Sequence, residues 1–161
     1  MAFHGGVSSD ASDPPATLIY YTKSGAPTSV SAALHPSSTP TGVNVAFAAP
    51  ANTGGGNLTY VATAYSGATA IASIASGASS PLYVTGLTTA TSYTYRVVAS
   101  HGGVSSDASD PSAALIYYTQ PGKPTGVNPV RSPADAPTGV NVSFTGTSTT
   151  GGASLTYTAR A

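Results

Sequence analysis

The chain has 161 residues, 40% of them hydrophobic, and it carries few charges: Lys23, Arg96, Lys123, Arg131 and Arg160 balance five Asp, with no Glu, for zero net charge. Such a chain has no basic patch to displace the counterions condensed on nucleic-acid phosphates, and no polybasic segment to hold it at a membrane surface. It has no cysteine for a disulfide or a thiolate metal site, and no apolar run approaching the roughly 18 residues of a membrane helix.

Helix signals are missing, because β-branched residues, Gly and Pro interrupt every stretch that could show a 3.6-residue apolar period. Strand signals follow one another instead. Val43, Val45 and Phe47 alternate with Asn44 and Ala46, and Leu58, Tyr60, Ala62 and Ala64 alternate with Thr59, Val61 and Thr63. A short strand is predicted at Ser80 to Val84, then Tyr93, Tyr95, Val97 and Ala99 alternate with Thr94, Arg96 and Val98, and a last strand covers Ala114 to Thr119. This is the period-two pattern of strands with one face on a core. Turn-rich breaks lie at Pro50 to Gly56, Ser76 to Ser79, Gly86 to Ala90 and Gly102 to Pro111. Seven or so short strands in roughly 100 residues, with no helix, predict an all-β two-sheet sandwich.

The sequence also repeats itself. His4-Gly-Gly-Val-Ser-Ser-Asp-Ala-Ser-Asp-Pro14 returns at His101 to Pro111, an offset of 101 − 4 = 97 residues. Leu18 to Thr22 returns at Leu115 to Thr119, Pro40 to Val45 at Pro137 to Val142, and Leu58 to Tyr60 at Leu155 to Tyr157, all in the same register. A period of 97 is too long for a solenoid and suits a domain that folds by itself.

The segment from Gly86 to Ala99, Gly-Leu-Thr-Thr-Ala-Thr-Ser-Tyr-Thr-Tyr-Arg-Val-Val-Ala, resembles the fibronectin type III signature, in which a Gly-Leu turn leads into a Tyr-x-Tyr-x-Val-x-Ala strand. The resemblance implies an immunoglobulin-like sandwich in which Leu87 plugs the core below the turn and Tyr93 makes the tyrosine-corner contact. It also implies that Pro27 opens the first strand, that Phe47 stands where the family keeps a Trp, and that Tyr60, Tyr95 and Val97 belong to the core. By this alignment residues 1–25 are the last part of one unit, 26–121 a complete unit, and 122–161 the first part of another. Met1 aligns with Val98 and Ala161 with Ala64, so neighbouring copies, or further parts of a longer chain, are expected to cover the incomplete units head to tail.

Several clusters of chemistry-bearing residues have plainer readings. His4 and His101 lie near Asp10, Asp13, Asp107, Asp110 and several serines, but a nucleophilic triad needs rigid elements and an oxyanion hole, whereas these residues occupy a Gly-rich loop, read as solvated. The Asp10/Asp13 and Asp107/Asp110 pairs are too few carboxylates for calcium and suit turns. Gly54-Gly-Gly56 has no Lys-Ser/Thr after it and reads as a flexible tip, not a phosphate loop. Asn57-Leu-Thr59 and Asn141-Val-Ser143 fit the glycosylation pattern by composition alone. In the doublets Tyr20-Tyr21 and Tyr117-Tyr118 one ring must leave the core, where it is free for an interface. No metal or cofactor is called for, and no enzymatic activity.

The sequence therefore reads as the shaft of an extracellular or cell-surface fibre, stalk or adhesin. Composition and resemblance carry that location, since Met1 to Asp10 shows no signal-peptide pattern. Zero net charge leaves self-association unopposed by long-range repulsion. The other reading is a spacer or carbohydrate-binding module of a secreted polysaccharide-degrading enzyme, with glycan contact in place of self-contact.

Overall fold

The computed structural model describes residues 3–4, 6–8, 13, 17–132 and 138–160. Among these every regular element is a strand. β1 (Phe3–His4) and β2 (Val7–Ser8) form a small hairpin. The central body contains β3 (Thr28–His35), β4 (Gly42–Ala48), β5 (Thr59–Ser66), β6 (Thr69–Gly77), β7 (Leu82–Val84), β8 (Thr91–His101), β9 (Val104–Ser105) and β10 (Leu115–Tyr117). β11 (Thr125–Ser132) and β12 (Gly139–Thr145) make a second two-stranded ladder.

The central strands form two antiparallel sheets, one in the order β3-β4-β7 and the other β10-β8-β5-β6, with β9 folded back on β8. Alternation decides which face of each sheet is inside. Val43, Val45 and Phe47 of β4, with Leu82 and Val84 of β7, are buried with Tyr60, Ala62 and Ala64 of β5 and Tyr93, Tyr95, Val97 and Ala99 of β8. Fully burying a side chain of this size stabilises by about 1.5–3 kcal/mol, so this single layer supplies most of what holds the sheets together. Leu87 is half-buried against the same cluster, and Pro27, immediately before β3, is fully buried.

Two sequence expectations need correction. β6 extends through Ser76 and Gly77, where a break was expected. Its small Ala and Ser residues give little apolar contrast, and it forms because β5 offers a free edge, pairing from Ser66↔Thr69 to Tyr60↔Gly77.

The second correction concerns Gly102 to Pro111, expected to be a solvated loop. The diglycine Gly102-Gly103, with φ of +51° and +82°, makes a tight turn that pairs His101 with Val104. Beyond it the chain runs along β8 as a ladder of buried serines. The amides of Ser106, Ser109 and Ser112 donate to the carbonyls of Ala99, Val97 and Tyr95 at 2.8, 2.9 and 2.9 Å. In return the amides of Ala99, Val97 and Tyr95 donate to the hydroxyls of the same serines at 3.0, 2.9 and 3.1 Å. Each serine thus satisfies both backbone groups of one β8 residue, as a paired strand would, with a step of three residues against two.

β11 and β12 repeat the β3–β4 pairing 97 residues on. Thr28↔Ala48 and Ser31↔Ala46 become Thr125↔Thr145 and Asn128↔Ser143, with a register shift at the same place in both ladders. At that shift Ser29 and Gly126 take φ of +54° and +60°.

Candidate functional site

The residues that invited a catalytic reading are committed elsewhere. The hydroxyls of Ser106, Ser109 and Ser112 donate to the carbonyls of Asp107, Asp110 and Ala113, not to an imidazole. Asp107 pairs with Lys23 at 2.7 Å across an exposed surface. Both ring nitrogens of His101 are buried and have no hydrogen-bond partner among the described residues. No group of three metal-ligating side chains occurs among those residues. Asp10 lies outside the described residues, and Asp13 is exposed. Asn57 and Asn141 are both exposed.

What the structure does build, twice, is a joint between successive segments of the chain. In the first, the strand-free segment ahead of β3 runs beside the loop between β4 and β5. The Thr22 amide donates to the Gly54 carbonyl at 3.0 Å and the Gly25 amide to the Asn52 carbonyl at 2.9 Å. In the second, the segment between β10 and β11 runs beside the loop after β12. There the Thr119 amide donates to the Gly151 carbonyl at 3.0 Å and the Gly122 amide to the Thr149 carbonyl at 2.8 Å. Every one of these four partners in the second joint stands 97 residues after its counterpart in the first.

Glycine is required at the centre of each joint. Gly54 and Gly151 have φ of +71° and +68°, and a Cβ on either would collide with the carbonyl oxygen of Thr22 or Thr119. At the first joint the ring of His101 also lies against Gly54 and Gly56, and Tyr21 meets His101 edge-on with ring centroids 5.0 Å apart. Tyr21 further covers Gly102. Gly54 and Gly56 are therefore packing positions, not parts of the flexible tip their composition suggested, while Gly55 between them is exposed. Of the tyrosine doublets, Tyr20 is exposed and Tyr21 sits in the joint, whereas Tyr117 is buried in the core.

The aromatic pair of the core also recurs. Phe47 and Tyr60 pack with centroids 4.7 Å apart, and so do Phe144 and Tyr157. The first pair is covered by the opposite sheet, at 9% and 5% exposure, while the second is 41% exposed at each ring and lines an open apolar groove with Pro124, Val127 and Val142.

At the turn between β7 and β8 the Thr88 amide donates to the Tyr93 hydroxyl at 3.1 Å, the contact that marks a tyrosine corner. No family model matches the chain, and no curated protein matches it. Among solved structures it is similar to a run of titin domains, with a TM-score of 0.52 and 22% identity over 60% of this chain. The fold is fibronectin type III-like. The likeness concerns this architecture alone, and it spans 32% of the length of that titin structure. The fibronectin type III-like chain also matches domains d3–d4 of the rat CD45 extracellular region (TM-score 0.49, 14% identity, 72% of this chain and 73% of that one). A third match is to the FN1–FN3 domains of chicken CNTN1 (TM-score 0.48, 14% identity, 64% and 37%). A shared fold does not fix function, which has to be read from the particular sites built on it.

Proposed function

We propose that the protein is a structural, adhesive repeat protein, in which fibronectin type III-like sandwiches in a head-to-tail array form the shaft of an extracellular or cell-surface fibre. The observation that carries this reading is the duplicated joint. Successive sandwiches joined by a free linker move independently. Here the linker is tied at two points to the loop of the unit that follows, in the same way at both joints, so that pulling or bending must break paired backbone groups before it extends the chain. The function is mechanical: each unit adds length, and each joint limits the angle between units. In an assembled shaft the apolar groove at Phe144 and Tyr157 is covered by a neighbouring copy or by a further part of a longer chain.

Electron microscopy and small-angle scattering of the purified chain test the proposal. Filaments at high concentration, with a stiff, elongated particle at low concentration, support it. A compact monomer at every concentration that is retained specifically on a polysaccharide would overturn it in favour of a glycan-binding module. Gly151→Val separates the joint from the sandwich, since it is expected to loosen the segment around Thr119 and increase flexibility in scattering while the melting temperature of the central body stays unchanged.

A further inference from the structure

We infer that Gly54-Gly55 of the complete sandwich is a docking socket for the Thr88-Thr89-Ala90 turn of another unit of the same sequence, so that units join in a single orientation; the inference rests on the shaft reading. The second joint contains such a contact within the chain. Ala90 ends the turn that precedes β8, with φ of +58°, and its amide donates to the carbonyl of Tyr117 at 2.8 Å. That bond fixes the turn beside the point where the chain leaves the sandwich. Gly152 of the following segment sits against it. A Cβ on Gly152 would stand 2.9 Å from the Ala90 nitrogen, 3.1 Å from the Thr89 Cβ and 3.3 Å from the Ala90 Cβ. The contact therefore accepts no side chain at that position.

Gly54-Gly55 reproduces Gly151-Gly152 97 residues earlier. The φ angles are +71° and +92° in the first pair and +68° and +96° in the second. Gly54 is pinned to Thr22 as Gly151 is pinned to Thr119. The difference lies at the outer glycine: Gly55 is exposed, and among the described residues the nearest atom to a Cβ there is the Tyr20 carbonyl oxygen at 4.0 Å. The backbone is shaped like the face that holds Thr89-Ala90, and the place of the turn is open. The chain's own turn cannot reach it, because Gly152 already covers that turn. None of these residues is charged, so the match is one of shape, between a face without side chains and a turn of small residues.

The test extends the chain by one unit. A copy of residues 26–97 is fused ahead of Met1, which continues the 97-residue register, and Gly55→Val is introduced in the original unit of this extended protein. The control is Gly152→Val in the unextended protein, where a Cβ would stand 2.9 Å from the Ala90 nitrogen. Small-angle scattering reads both, and each substitution is expected to broaden the distance distribution. Broadening by both supports the socket. Broadening by the control alone overturns the socket and leaves the joint intact, and an unchanged profile in both overturns the socket and weakens the shaft reading with it. Gly55→Val in the unextended protein separates docking from local backbone strain at a positive φ: its profile should stay unchanged, and broadening there would count against the socket.

Discussion

The Tyr93 hydroxyl accepts a hydrogen bond from the amide of Thr88, five residues before it, and so closes the turn that carries Leu87 into the edge of the core and Ala90 to the surface. Tyr93→Phe removes the bond and leaves the ring, and is expected to cost about 0.5–1.5 kcal/mol. Tyr93→Ala also removes a buried aromatic and is expected to cost about 3–5 kcal/mol, with half-buried Leu87→Ala nearer 2. Denaturant midpoints measure all three. A midpoint unmoved by Tyr93→Ala would show that β8 is out of register.

Tyr95 points the other way in its economy of polar groups. Its ring is fully buried and its hydroxyl has no partner among the described residues. Burial, then the neighbouring Tyr93 and Tyr117, push its pKa well above the usual 10.0, and burial raises that of Tyr117 as well. The folded state therefore keeps protons that the unfolded chain releases above pH 10. The associated stability is complete below that pH and is lost as pH rises beyond it. Thermal melts should fall steeply in strong alkali. Tyr95→Phe should flatten part of that fall and be at least as stable at neutral pH, and a Phe variant that melts much lower would show that the hydroxyl is bonded.

The serine ladder predicts a large effect from one small atom. Ser109→Ala leaves the Val97 amide buried without an acceptor, which costs about 1–3 kcal/mol. Hydrogen exchange at Val97 should accelerate together with the drop in denaturation midpoint. Unchanged exchange at Val97 would mean that water or another acceptor takes over.

His101 tests how the first joint is held. His101→Phe keeps a flat ring against Gly54, Gly56 and Tyr21 and removes two buried nitrogens that have no partner among the described residues, so its midpoint should equal or exceed that of the parent. His101→Ala opens a void at the same place and should cost about 0.5–3 kcal/mol. A Phe variant less stable than the Ala variant would refute the apolar-wedge role of the ring.

Much of the sandwich was legible in the residues themselves. Val43, Val45 and Phe47, or Tyr93, Tyr95, Val97 and Ala99, announce a strand with one buried face because side chains alternate across a sheet, whatever the partner strand is. The 97-residue register was likewise visible as plain identity between distant segments. Tertiary structure alone decided the rest. β6 exists because β5 has an open edge, a fact absent from its Ala- and Ser-rich sequence. Ser106, Ser109 and Ser112 look like any loop serines until β8 lies beside them with unpaired amides. Gly54 and Gly151 look like flexible spacers until Thr22 and Thr119 approach too closely for a side chain. In each case the local sequence is compatible with several conformations, and the backbone groups that select one of them come from a distant part of the chain.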